Sequence, residues 1–461
     1  MLSFQLPARA LTGDTIADIL LSFSAEYLPI SDSNSYDNTG KAYNVTRILT
    51  PQFTLDETKY KVLLTIVRLR KLSNRKQAYS PLFLSTTFAM SYGLAFASIA
   101  AVFVHVLLFH GEEIWIRAKA VKGSLDDNHM KMMRKYKLVP DWWYGVLLLI
   151  MIGFSFATVC AWPTNLSWWA LIIGLLISLV WTIPIGIVYA TTNIHLGLNV
   201  FTEYIIGYMQ PGRPLAMMLF KTYGYITMNQ AHFFLQDLKL GLYLKVPQRV
   251  TFFAQVVGTL WSCVVQLCVM EWALDHIKGI CKAGQANNFT CPGPRVFFNA
   301  SVIFGLIGPQ RIFSTGSLYG NLQYFWLAGA IVPIIIYFVA RTWPRSKARF
   351  FSAPIFFGGM GELPPATPLS YLSWSLVGFV FQKVIRNRYR GWWMRFNYIT
   401  SAGLDVGLAI CTILIIAALN LTGTNFPNWW GNSAPANTLD YLETAVQKKV
   451  VKGQTFGPKV W

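Results

Sequence analysis

Pro81 to Gly111 reads PLFLSTTFAMSYGLAFASIAAVFVHVLLFHG, without a single Asp, Glu, Lys or Arg. About 20 consecutive apolar residues in a helix cross a bilayer core of about 30 Å. This stretch is longer than that, and several similar ones follow it. The reading that fits is an integral membrane protein with lipid as the main solvent. The fold class expected is all-α: a polytopic helical bundle with broken or re-entrant helices.

Composition agrees. The 461 residues are 54% hydrophobic and 13% charged, against about 25% charged in a soluble domain. The formal net charge is +19, from 39 Lys+Arg and 20 Asp+Glu. On a water-soluble chain that excess would suggest nucleic acid. Here the basic residues fall between apolar runs, as they do in cytoplasmic loops of membrane proteins, so no nucleic-acid partner is expected. The N-terminal residues MLSFQLPARALTGDTIADIL do not have the pattern of a signal peptide.

Residues 1–80 read as a polar N-terminal segment, 81–421 as the transmembrane bundle and 422–461 as a polar tail. The turn-rich centre of the first segment, SDSNSYDNTGK, suggests a flexible tail. Within it, 62–77 (VLLTIVRLRKLSNRKQ) is foreign to both flanks. Spans are expected at 81–109, 142–162, 168–190, 250–273, 318–340 and 397–421. Paired tryptophans, Trp142-Trp143 and Trp168-Trp169, open the second and third, as interface belts do. Residues 193–236 are more polar and are split by Pro211-Gly212-Arg213-Pro214 into two short segments. A broken backbone survives at bilayer depth only inside protein or along a cavity, so this is read as a buried hairpin. A short apolar piece lies at 296–310, and 351–382 is interrupted by GGMGELPPATP. The total is about eight to ten membrane segments, some of half length.

Four basic clusters, at 117–137, 239–249, 341–349 and 383–395, belong on one side. The layout closes only if 193–236 and 351–382 each return to the side they left. Two interrupted hydrophobic elements of this kind point to a transporter's substrate site. On the opposite side falls the loop CKAGQANNFTC. It holds Cys281, Cys291 and the sequon Asn288-Phe289-Thr290, so a disulfide and a glycosylation site are expected there. Two free thiols beside a chance sequon is the alternative.

Long stretches now carry a resemblance. They include NSYDNTGKAYNVTRILT (34–50), IPIGIVYATTNIHLGLNVFTEYIIGYMQPGRPLAMMLFKTYGY (183–225), QAHFFLQDLKLGLYLKVPQR (230–249), GLIGPQRIF (305–313) and RGWWMRFNYITSAGLDVGLA (390–409). In this order the chain resembles the oligopeptide transporter superfamily, in its fungal and plant peptide-transporting branch. The resemblance implies secondary active import of small peptides, about three to five residues long, coupled to protons, with the plasma membrane as the expected location. It implies no cofactor. A metal-chelate transporter of the sister branch is the alternative substrate class. Of two short family signatures, the Asn-Pro-Gly one has no counterpart here, and Lys-Ile-Pro-Pro-Arg stands as Lys245-Val246-Pro247-Gln248-Arg249. Family members are longer and carry further spans ahead of the matched region, so the chain looks like a C-terminal portion. A non-transporting truncated fragment therefore remains open. Residues 62–77 interrupt the family pattern and read as a translated intron, or else as a basic amphipathic insertion.

The candidate pathway residues follow from the cost of polar groups in a membrane. Glu203, beside Tyr204, is placed to carry a proton, unless a neighbouring cation fixes it. His232 and Gln236 share a helix face, and Asp237 follows them; a packing role for His232 is the alternative. Tyr189 and Asn193 belong to a polar patch after Pro184. Arg311 ends the Gly308-Pro309-Gln310 turn and suits a peptide carboxylate or an interfacial anchor. Asp405 lies among small residues and reads as a buried polar tie. No enzyme is expected: the chain has neither a glycine-rich phosphate loop followed by Lys nor a His-Glu-x-x-His pair. No bound metal is expected either.

Overall fold

The computed structural model describes residues 27–29, 34–57, 82–119, 128–133, 135–281, 291–314, 317–359, 361, 368–420, 422, 429–439, 446, 448–452 and 454–457. The foreign segment 62–77 and the sequon residue Asn288 lie outside them.

Where the sequence lacks charge, helices run long. The opening run becomes α1 (Thr86–Lys119), which extends past its apolar part into the basic stretch. α2 (Asp141–Ala161) and α3 (Trp168–Thr192) begin at the tryptophan pairs. α3 stops at Asn193, whose left-handed conformation (φ 57°) caps the helix; asparagine tolerates that region better than most residues.

The hairpin follows. α4 (Asn199–Met209) runs to the Pro-Gly break. α5 (Pro214–Lys221) then continues through a π-helical turn (Thr222–Ile226) into α6 (Thr227–Leu244). The second arm is thus one long helix rather than a short segment, because no residue from Pro214 to Leu244 stops it. Lys239, expected in a loop, lies on α6.

α7 (Gln248–His276) leads to the Cys281–Cys291 disulfide. α8 (Pro292–Ala300) passes through a π-helical stretch (Ser301–Ile307) into the turn at Gly308, and every residue of that stretch is buried. α9 (Tyr324–Thr342) packs along α1. A side chain at Gly329 would collide with the Ala97 backbone, so glycine permits the close crossing.

α10 (Ala353–Gly358) enters beside α1, where Ser98 Oγ donates to Pro354 O at 3.3 Å. α11 (Pro368–Phe379) extends helically to Arg388, and α12 (Arg390–Ile415) follows after a break at Tyr389. The last basic cluster therefore sits on helix rather than in a loop. Among the described residues six helices are long and apolar enough to span a membrane: Thr86–Ile116, Asp141–Ala161, Trp168–Thr192, Gln248–His276, Gly320–Thr342 and Arg390–Leu419. The chain is a multi-pass membrane protein.

The basic stretches gather at one end of the bundle. Arg249 Nε donates to Leu138 O at 3.1 Å. Arg349 shares a small cavity with His110, Thr191 and Thr192. Tyr398, near the start of α12, lies within electrostatic reach of Tyr189 near the end of α3. The hairpin leaves this end at Asn193 and returns to it after Leu244.

The opposite end is closed by part of the polar N-terminal segment. The expectation of a flexible tail fails for 34–57, whose apolar side chains are used in packing: Ile48, Val45 and Tyr43 are buried in the main core. β1 (Ser35–Tyr36) pairs antiparallel with β2 (Phe83–Leu84). Tyr319 Oη accepts the Leu84 N–H at 2.8 Å, and burial pushes its phenol well above the usual value. Leu55 N–H donates to Gly212 O at 2.8 Å, so this segment grips the hairpin tip.

Candidate functional site

The break between α3 and α4 creates the site. Residues 194–198 are neither helix nor strand, and they hold Leu196 and Leu198 in the core. Asn193, His195 and Asn199 face a cavity of about 660 Å3, which α1, α5, α6, α8 and α11 also line.

Two of its residues form a buried ion pair. Lys221 Nζ lies 2.6 Å from Glu203 Oε1, and Glu203 is only 1% exposed. Lys221 also stands 4.4 Å from the centre of the Phe297 ring, a favourable cation–π position. Glu203 Oε2 has no hydrogen-bond partner. An isolated charge at this depth would be costly, whereas a paired and hydrogen-bonded one is tolerated. Of the two roles open to Glu203, the structure supplies the fixing cation.

A second polar cluster adjoins the first. His195 Nε2 and His232 Nδ1 are 3.0 Å apart, and His232 Nε2 lies 2.9 Å from Thr182 O. If the latter contact is N–H to carbonyl, His232 Nδ1 is left as acceptor for His195. Gly186 makes room for this ring, since a Cβ there would stand 3.0 Å from Nε2. One turn along α6, Gln236 accepts from Tyr189 Oη. The expected face with His232 and Gln236 therefore exists, but its partners come from α3 and the 194–198 segment. Asp237 is exposed on the next position, within electrostatic reach of Tyr189.

The remaining candidates lie apart. Tyr204 Oη accepts from Gln323 Nε2 at 2.6 Å, and its ring packs edge-on against Phe96. Arg311 is at the hairpin-tip end, 3.7 Å from Glu57, and does not line the cavity. Asp405 is uncovered on α12 rather than a buried tie, because α12 buries no residue. Among the described residues no group of three His, Cys, Asp or Glu side chains is placed to hold a metal ion.

Sequence reasoning missed Lys221, His195, Tyr92 and Asn229. Lys221 had a usable signal: it is the lone cation in the apolar stretch PLAMMLFK, and such residues are rarely idle in a membrane.

The family model for OPT oligopeptide transporter protein matches residues 19–419. The sexual differentiation process protein isp4 of Schizosaccharomyces pombe is 47% identical over 438 residues, covering 95% of this chain and 54% of that protein. Glutathione transporter 1 of the same yeast is 39% identical over 437 residues, with 95% and 49% covered. Oligopeptide transporter 1 of Saccharomyces cerevisiae is 40% identical over 441 residues, with 95% and 52% covered. The chain thus spans about half the length of these curated relatives. No solved structure matches it. On the family match and these identities, the chain belongs to the oligopeptide transporter family.

Proposed function

We propose that the chain forms the substrate-binding part of a secondary active transporter, which imports small oligopeptides into the cell together with protons at the plasma membrane. The observation that carries this reading is the cavity at the α3–α4 break. Its volume of about 660 Å3 falls within the range of about 300–1,000 Å3 usual for small-ligand sites. Its walls mix apolar side chains with the Glu203–Lys221 pair, His195 and Asn193. A peptide needs both kinds of surface. The broken backbone around the cavity matches the half-helices that frame carrier sites.

Proton coupling rests on the histidine contact beside the cavity. One imidazole touches the other, which reaches the Thr182 carbonyl in α3. The first proton enters at His195 Nδ1 and leaves the contact as an imidazolium–imidazole hydrogen bond; a second, on His232 Nδ1, removes the acceptor between the rings, so the two nitrogens repel and residues 194–198 are pushed from α6. Coupling requires that the proton and the peptide bias the same conformational equilibrium.

The test is uptake of a labelled tripeptide by a peptide-auxotrophic yeast expressing this chain, with and without a protonophore. Uptake that collapses with the protonophore is expected. Uptake that persists removes the proton, and no uptake removes transport by this chain alone.

A further inference from the structure

Three polar atoms around the cavity share a property. Glu203 Oε2, Asn229 Oδ1 and Tyr92 Oη are buried and lack hydrogen-bond partners among the described residues, and all three residues line the same space. Tyr92 lies within electrostatic reach of Glu203. Two of the atoms are acceptors only, when Glu203 is ionised, and the third accepts or donates. Buried polar groups left in this state are costly. A ligand rich in N–H donors would satisfy these atoms.

Resting on the transport reading above, we infer that this part of the cavity is an ammonium subsite: Glu203 Oε2 binds the free α-amino group of the peptide, and Tyr92 Oη is the second acceptor. A primary ammonium has three donors on one atom, enough for a carboxylate oxygen and a phenol. Lys221 is a positioning residue here. Its pairing with Oε1 fixes the carboxyl group and leaves Oε2 without a partner among the described residues.

Distance rules out a two-ended clamp. The charged atoms of Lys221 and Glu203 are 2.6 Å apart, whereas the termini of an extended tripeptide are separated by about 10 Å. With the amine at Glu203, the peptide carboxylate lies well away from Lys221, so changing that end matters less.

The experiment is isothermal titration of the full chain in lipid nanodiscs with trialanine, N-acetyl-trialanine and trialanine amide. Acetylation removes the charge and two donors and is expected to weaken binding about tenfold or more; amidation is expected to weaken it less. Glu203→Gln combined with Lys221→Met, which leaves no unpaired charge, is expected to bind the free and acetylated peptides alike. Tyr92→Phe, a milder change, is expected to narrow the difference between the two. Equal binding of both peptides by the unaltered chain overturns the subsite, leaves only water at Glu203, and spares the transport reading. A preference that survives the double substitution also overturns it. Failure of every peptide to bind overturns the transport reading and the subsite together.

Discussion

The inner hairpin and the outer helices use the same residue types to opposite ends. α4 to α6, with the stretch through Ile307, bury Phe220, Ile206 and Phe304 completely or nearly so, along with two opposite charges. α2, α7 and α12 are long and apolar, yet 6%, 6% and none of their most apolar windows are buried. In water the ranking would be reversed, with the greasiest helices inside. A solvent as apolar as leucine removes that drive, and close packing then falls to small residues and polar ties. In this chain hydropathy marks the membrane, while interruption marks the centre of the protein. All four free cysteines, Cys160, Cys263, Cys268 and Cys411, lie on the three uncovered helices.

The contrast can be broken most forcefully at the ion pair. Lys221→Met strands Glu203 in the core and should cost about 3–5 kcal/mol, read as a lowered unfolding temperature of the solubilised chain. Adding Glu203→Gln should recover most of that loss; a double variant no better than the single one would contradict the pairing. Phe220→Ala should cost about 3–5 kcal/mol by opening a cavity, whereas Leu260→Ala on α7 should stay within about 0.5 kcal/mol. Similar costs at the two positions would erase the distinction between inner and outer elements. Gly186→Ala should lose about 1–3 kcal/mol by crowding His232, and with it the close approach of the two rings, visible as altered histidine NMR shifts. The gentlest probe is a spin label on each free cysteine in bilayers. High accessibility to oxygen is expected at all four; low values at any one would mean that protein, not lipid, covers that helix.

Much of the architecture was legible because hydropathy is additive along a helix. The span expected at 142–162 is observed as Asp141–Ala161, since aliphatic residues fill it and tryptophans mark its start. The break at Pro211–Pro214 was also legible, because proline and glycine act locally. What followed the break was not: the extent of α5–α6 depends on packing against α3 and the Ser301–Ile307 stretch, which no local pattern records. The site was half legible. Glu203 and His232 stood out as ionisable groups in a polar hairpin, but their partners Lys221 and His195 lie 18 and 37 residues away in sequence. Asp405 misled because small neighbours suggested a helix contact that α12 does not make among the described residues.

The grip on the hairpin tip has a mechanical consequence. Leu55 bonds the Gly212 carbonyl, Arg213 donates to Asn165 O at 3.1 Å, and Arg311 stands by Glu57. Two attachments at the tip, beside the Arg311–Glu57 contact, and an unwound stretch at 193–198 near the other end make the hairpin stiffest at Gly212. Any tilt of the hairpin held in this way displaces the histidines more than the tip.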